Sequence, residues 1–201
     1  VARNIQLVCA ELGFSPDQLA RVHQVHGSEI KQVSEPGCWS GYDALVTDAS
    51  GILLGVSIAD CTPVLIADPR TGCIAAIHAG WRGTALGVVG ETLALMVRQF
   101  GVDPVDCRAY VGTCIDVCSF EVGDEVADIF PGHLKIRHQE GGKYHVDLKK
   151  AQVDQLVSGG MCLQHIELSN RCTVQHGRDY FSYRRACGKT GRMMALIGRH
   201  F

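Results

Sequence analysis

The sequence predicts an α/β protein built around a mixed sheet, and three features carry that expectation. Ile52 to Ile58, Pro63 to Ala67 and Cys73 to Ile77 are continuous apolar runs of strand length bounded by turn residues, the pattern of strands covered on both faces. A long helical pattern opens at Thr84 and reaches Phe100, with Val88, Val89, Leu93, Met96, Val97 and Phe100 on its apolar side and Gly101 as the stop. Shorter strand and helix signals then alternate to the end of the chain.

Taken in order, residues Val1 to Phe14 read as a helix, with Ile5, Val8 and Leu12 on one stripe and Gly13 ending it. Ser15-Pro16-Asp17 is a helix-start signal. Gln24 to Val33 reads as a strand entered through His26-Gly27, and Ser34 to Gly41, with Pro36 and two glycines, reads as a loop. Ala44 to Thr47 is a short apolar strand. The three central runs follow; the first stops at Asp60-Cys61, and Asp68-Pro69-Arg70-Thr71-Gly72 turns the second into the third. Arg108 to Val111 reads as a strand ending at Gly112-Thr113-Cys114, Val122 to Phe130 as a helix, and Tyr144 to Val146 as a strand. Asp147 then caps a helix from Leu148 to about Val157. Glu167 to Cys172 and Met193 to Ile197 are the last strands.

The chain has 201 residues, a length that suits one domain with a real core. Apolar residues make up 46% and charged residues 20%, a globular rather than a disordered balance. The net charge of −2 supplies no basic field for nucleic acid and no polybasic patch for a membrane surface. The longest apolar stretch, Gly51 to Ala59, is about half of a bilayer span, and no leader pattern opens the chain, so the expected location is the cytoplasm. Ten cysteines are unusual, yet they form no Cys-x-x-Cys pair and no small-scaffold framework, so most are expected to fill the core.

Chemistry concentrates where strands should end, at His26, Cys61 and His78. Cys61 and His78 end nearby strands, and neighbouring strands lie roughly 5 Å apart, so both can reach one ligand. Two imidazoles and a thiolate suit zinc, and three protein ligands leave a fourth position open. The competing reading is that these are unrelated residues in a chain rich in both types. Gly80-Trp81-Arg82-Gly83 forms a second candidate: a glycine turn before a helix N-terminus can bind an anion, with Arg82 adding a forked donor. The same glycines could equally serve turn geometry alone. Asp60 is placed to orient a ligand or to act as acid or base, and Arg184, in Ser182-Tyr183-Arg184-Arg185, to line an anionic pocket.

Several blocks occur in a telling order: Gln24-Val25-His26-Gly27, Asp43-Ala44-Leu45-Val46-Thr47, Ala59-Asp60-Cys61-Thr62-Pro63 and His78-Ala79-Gly80-Trp81-Arg82-Gly83. Val111-Gly112-Thr113-Cys114-Ile115, Tyr144-His145-Val146-Asp147-Leu148, Cys172-Thr173, Ser182-Tyr183-Arg184-Arg185 and Thr190-Gly191-Arg192 follow. The chain thereby resembles the YfiH-like family, long labelled polyphenol oxidase or laccase-domain proteins and described as purine nucleoside phosphorylases with adenosine deaminase activity. The resemblance implies a three-layer α/β/α sandwich around a mixed sheet. It also implies a zinc site on His26, Cys61 and His78, choosing His26 over His23. Purine nucleosides and phosphate are the implied partners: adenosine, inosine or guanosine would give free purine and ribose 1-phosphate. Cys61, His78 and Asp60 would serve catalysis, and Arg82, Gly80, Gly83 and Arg184 substrate or phosphate. Two departures stand out. Family members carry some tens of residues before the segment matching Arg3-Asn4, so residues 1–201 are expected to form one YfiH-like domain short of an N-terminal segment, an edge strand and part of the pocket. Thr113 stands where proline is common.

Two other enzymes compete with this reading. Copper-dependent phenol oxidation would use copper in place of zinc, but several coppers need clustered histidines, and no His-x-His pair occurs. A cysteine hydrolase would use Cys61 as nucleophile and His78 as base. A non-enzymatic role would follow if the shortened front had removed the pocket.

Overall fold

The structure is a computed structural model that describes residues 1–137, 139 and 141–200. Its central element is a six-stranded mixed sheet. In chain order the strands preceding the first long helix are β1 (Leu19–His23), β2 (Ile30–Gln32), β3 (Gly37–Ser40), β4 (Ala44–Thr47), β5 (Leu53–Ile58), β6 (Thr62–Ala67) and β7 (Ile74–Ala79). Those after it are β8 (Arg108–Val111), β9 (Glu121–Val122), β10 (Lys135–Arg137), β11 (Tyr144–Val146), β12 (Ile166–Leu168) and β13 (Met193–Gly198). The helices are α1 (Ala2–Glu11), α2 (Trp81–Ala85), α3 (Val88–Phe100), α4 (Asp124–Ala127) and α5 (Leu148–Ser158). The large sheet runs β12-β8-β6-β7-β4-β2, a second sheet runs β13-β5-β1-β3, and β10-β11-β9 form a small third one.

The α/β class with mixed sheets holds, and the sheet layer between the helices is double. Ala20, Val22, Leu54 and Val56 of the four-stranded sheet bury against Leu45, Ile74 and Ala76 of the six-stranded one. The opposite face of the large sheet, with Val64, Ile66, Ala75 and Ile77, packs on Val88, Val89, Leu93 and Met96 of α3 and Leu156 of α5. Helix α1 covers the outer side of the smaller sheet through Cys9, beside Phe14, Leu19 and Leu53. Strand alternation explains the division: along β7, Ile74 and Ala76 point one way and Ala75 and Ile77 the other. Both faces are therefore apolar, as the continuous runs require.

Several local expectations shift. The first strand is β1, ahead of His26; residues after His23 form a loop before β2. The Pro36–Gly41 stretch carries β3, an edge strand whose residues are half-buried or exposed, so no apolar alternation marks it. The long helix breaks into α2 and α3 because Gly87 takes φ +77° and ends the first turn-and-a-half. The helix expected from Val122 covers only α4, since Glu121 and Val122 pair with β11. Asp147 caps α5 as expected, its side chain accepting from the Lys150 amide at 2.9 Å. The cysteines divide more evenly than core filling implies: Cys9, Cys73, Cys107, Cys114 and Cys172 are buried, Cys38, Cys118 and Cys187 exposed, and all ten are free. No helix among the described residues is long and apolar enough to cross a membrane.

Candidate metal centre and cavity

Antiparallel pairing places Thr62 opposite Ala79 and Pro63 opposite His78, so Cys61, just before β6, lies beside the end of β7. His78 continues the face of Ile74 and Ala76, at the rim where the core between the two sheets gives way to a cavity. His26 arrives from the loop after β1. The ligand atoms of His26, Cys61 and His78 all lie within 4.8 Å of one another, and this is the one such group of three or more His, Cys, Asp or Glu among the described residues.

Asp43, a buried residue to which the sequence assigned no role, organises the group. Its Oδ1 meets His78 Nδ1 at 2.8 Å and accepts from the His26 amide at 2.9 Å. Its Oδ2 accepts from the amides of Gly27 at 2.7 Å and Val25 at 3.2 Å. One carboxylate thus orients one imidazole and folds the loop that carries the other; engaging His78 through Nδ1 leaves Nε2 for a ligand. The loop conformation costs energy, since His26 sits at φ +60° and neighbouring Asp60 at φ +93°, strained for non-glycine residues by about 1–3 kcal/mol each. The Gln24 side chain anchors the same loop to β5, bonding Ser57 N and O at 2.8 and 2.7 Å.

Electrostatics follow from this packing. Burial pushes the Asp43 carboxyl up, but the His78 imidazole and the loop amides outweigh it and hold it below the usual range. Burial also pushes the Cys61 thiol up, but hydrogen bonds from His26 and His78 and the charge on both imidazoles bring it down to about 7. Burial pulls His78 down, and its bonds to Asp43 and Cys61 raise it to about 9. Three buried thiols behave oppositely: burial pushes Cys73, Cys107 and Cys114 up to about 12. In protein stripped of metal, alkylation of Cys61 by iodoacetamide should therefore rise with pH through a midpoint near 7, while those three stay unreacted. Peptide mapping across pH 5–9 checks this; a midpoint near the ordinary thiol value would contradict the geometry.

Glycines give the group its room. A Cβ on Gly80 would lie 3.1 Å from both Cys61 Sγ and His26 Cδ2, in the space between the donors. A Cβ on Gly83 would meet the Gly27 carbonyl oxygen at 2.7 Å, so α2 can press on the His26 loop only with glycine there. Gly83→Ala should cost about 1–3 kcal/mol by overpacking, and it should weaken metal binding at the three-donor group by roughly tenfold or more as the loop is displaced. Urea denaturation and a zinc competition titration read both effects; wild-type values in both would show the contact to be soft.

The group opens into a cavity of about 610 Å³ whose walls include Asp60, Trp81, Arg82, Phe120, Tyr183 and Arg184, with Arg192 and His23 also at its surface. Arg82 is exposed and its guanidinium stacks on Trp81, 4.4 Å from the ring centroid. Both Asp60 oxygens are engaged: Thr173 Oγ1 donates to one at 2.5 Å and the Arg184 amide to the other at 2.7 Å. Arg184 Nη1 donates to the Glu121 carbonyl at 3.0 Å, fixing that wall. Arg185 turns away and ties down the carbonyls of Thr173, Val174 and Tyr180. The Thr113 hydroxyl pairs with Ser169 at 2.7 Å. A larger groove of about 980 Å³, bordered by Ile129, His133 and Asp154, contains none of the ligand group.

Residues 1–200 match the family described as multi-copper polyphenol oxidoreductase laccase. The chain belongs to this laccase family. A relative from Deinococcus radiodurans named purine nucleoside phosphorylase is 40% identical over 200 residues, 98% of this chain and 77% of that protein. Adenosine deaminase RL5, from an unknown prokaryotic organism, is 33% identical over 205 residues, covering 94% of this chain and 78% of its own length. The crystal structure of YlmD from Geobacillus stearothermophilus superimposes with a TM-score of 0.93 at 35% identity, over 98% of this chain and 79% of that one. Within this laccase-family chain, sequence reasoning missed Asp43 and Thr173 as organising groups. Asp43 opens the Asp43–Thr47 stretch and Thr173 follows Cys172, but only the folded chain shows what each touches.

Proposed function

We propose that the chain is an enzyme that phosphorolyses purine nucleosides and deaminates adenosine, with one zinc ion on His26, Cys61 and His78. The observation that carries this reading is the three-donor group facing a cavity that also presents arginines and aromatic rings. The printed names of the relatives, purine nucleoside phosphorylase and adenosine deaminase, support the reaction class. The donors fit zinc: a thiolate and two imidazoles, one imidazole oriented by a buried carboxylate, surround space that a single Cβ at Gly80 would fill. When bound, zinc supplies Lewis acidity and lowers the pKa of water.

The chain's own residues divide the remaining work. Arg82, braced on Trp81, is the phosphate-binding group, its fork matched to a tetrahedral anion. Trp81, Phe120 and Tyr183 offer ring faces and edges to a purine. Asp60 acts through others, holding the Arg184 wall and the Thr173 segment against the Cys61 loop. In phosphorolysis a phosphate oxygen bonds to the ribose C1′ as the C1′–N9 bond breaks, and the purine leaves with a proton. Incubation with inosine and phosphate, with and without zinc, is the test: hypoxanthine and ribose 1-phosphate are expected, and more with zinc. No purine release under either condition would overturn the proposal. Elemental analysis of protein purified without added metal should find one zinc per chain; stoichiometric copper would overturn the metal assignment.

A second reading is favoured by one observation. Cys61, His78 and Asp43 stand in the order nucleophile, base and orienting carboxylate, with the thiol near neutral pKa. As a cysteine hydrolase the chain would keep its activity under chelation, whereas the zinc enzyme loses it.

A further inference from the structure

A second group of cysteines lies outside the ligand set. The turn Asp116–Ser119 wraps the sulfur of Cys172: the Asp116 amide donates to Sγ at 3.4 Å, and Ser119 Oγ lies 3.6 Å from it. Backbone N–H groups of Val174 and Gln175 point at the same sulfur. Lys149, itself buried, fixes the turn by bonding Asp116 Oδ2 at 2.7 Å and the Arg171 carbonyl at 2.8 Å. Burial pushes the Cys172 thiol up, but this ring of donors outweighs it and holds the thiol below its ordinary value. A nest of amides favours the thiolate, and because Cys172 is only 4% exposed, its reaction requires the Ser119 and Gln175 side chains over it to move aside.

The partner is Cys118. It is exposed on the same turn, and its Sγ lies 3.4 Å from the Ser119 hydroxyl that also touches Cys172. The covering is thin, since half-buried Ser119 is overlaid by the exposed side chain of Gln175 at 3.2 Å. Cys114 also adjoins Cys172, across an isolated parallel bridge, but it is fully enclosed, its thiol donates to the Ile115 carbonyl, and burial pushes it up to about 12. Exposed Cys118 therefore has the room to turn that enclosed Cys114 lacks.

We propose that Cys172 and Cys118 form a peroxide-responsive dithiol, with Cys172 as the reacting thiol and Cys118 as the resolving one. The Cys172 thiolate attacks one oxygen of hydrogen peroxide; the O–O bond breaks, and hydroxide leaves and is protonated to water, giving a sulfenic acid on Cys172. The Cys118 sulfur then attacks that sulfur; the S–O bond breaks and a second water departs with the Cys118 proton. Two thiols are oxidised to one disulfide and one peroxide is reduced to two waters. The segment involved also braces the cavity, because Thr173, next in the chain, holds Asp60 beside Cys61.

The test uses the zinc-loaded full chain exposed to hydrogen peroxide, quenched with N-ethylmaleimide and mapped by peptide mass spectrometry. The expected product is a reducible Cys118–Cys172 cross-linked peptide. Cys118→Ser, a substitution at an exposed position, should abolish the cross-link and let dimedone trap sulfenic acid on Cys172. A Cys172–Cys114 bond, oxidation confined to Cys61 or to exposed Cys38 and Cys187, or an unmodified Cys172 in Cys118→Ser would each overturn the proposal.

Discussion

Asp43→Ala should lower the stability of the metal-free protein by about 3–5 kcal/mol and weaken zinc binding by at least about 10–100-fold. Four donors lose their acceptor at once: the amides of Val25, His26 and Gly27 and the Nδ1 position of His78. The group is fully buried, so water cannot replace the carboxylate without opening the loop. His26 would then leave its strained conformation, and the three donors would no longer converge. Asp43→Asn keeps the shape and one acceptor oxygen but presents an NH₂ to groups that donate, and should fall between wild type and alanine. Urea denaturation and competition with a chromogenic chelator measure the two effects. Wild-type zinc affinity in Asp43→Ala would show that the donor group does not depend on this carboxylate.

Cys61→Ala should reduce purine release from inosine and deamination of adenosine together, each by on the order of 10²–10³-fold or more in kcat/KM. The sulfur belongs to the three-donor group and not to the main core clusters, so the metal-free variant should keep a urea midpoint near that of wild type. The paired loss separates this proposal from its rivals. In the proposal one zinc site couples the two activities, so wild-type protein should lose both on chelation and regain both when zinc is returned. Retention of either activity in Cys61→Ala would separate that reaction from the site.

Much of the fold was legible. Strands β5, β6 and β7 and the helix signal after Thr84 came from local pattern, because a strand covered on both faces must be apolar throughout and turn residues mark its ends. The strand around His26 was misplaced because that loop owes its shape to Asp43, and a hydrogen bond over 17 residues leaves no periodic trace. Edge strand β3 went unread because its half-exposed residues lack an apolar pattern. The doubling of the sheet was invisible for a similar reason: alternation tells a strand that it has two apolar faces, not what lies against each.

Within the site, the types and order of His26, Cys61 and His78 belong to the sequence, as does the absence of a Cβ at Gly80 and Gly83. What folding decides is their convergence. Antiparallel pairing of β6 and β7 sets Cys61 beside His78, and Asp43, carried in at the head of β4, turns His26 towards both. The same holds for Asp60, whose carboxylate is engaged by Thr173 and the Arg184 amide, residues more than a hundred positions away. Local chemistry is written in each side chain, while the distances that let three donors act as one site arise from long-range pairing and burial, which no short stretch of sequence contains.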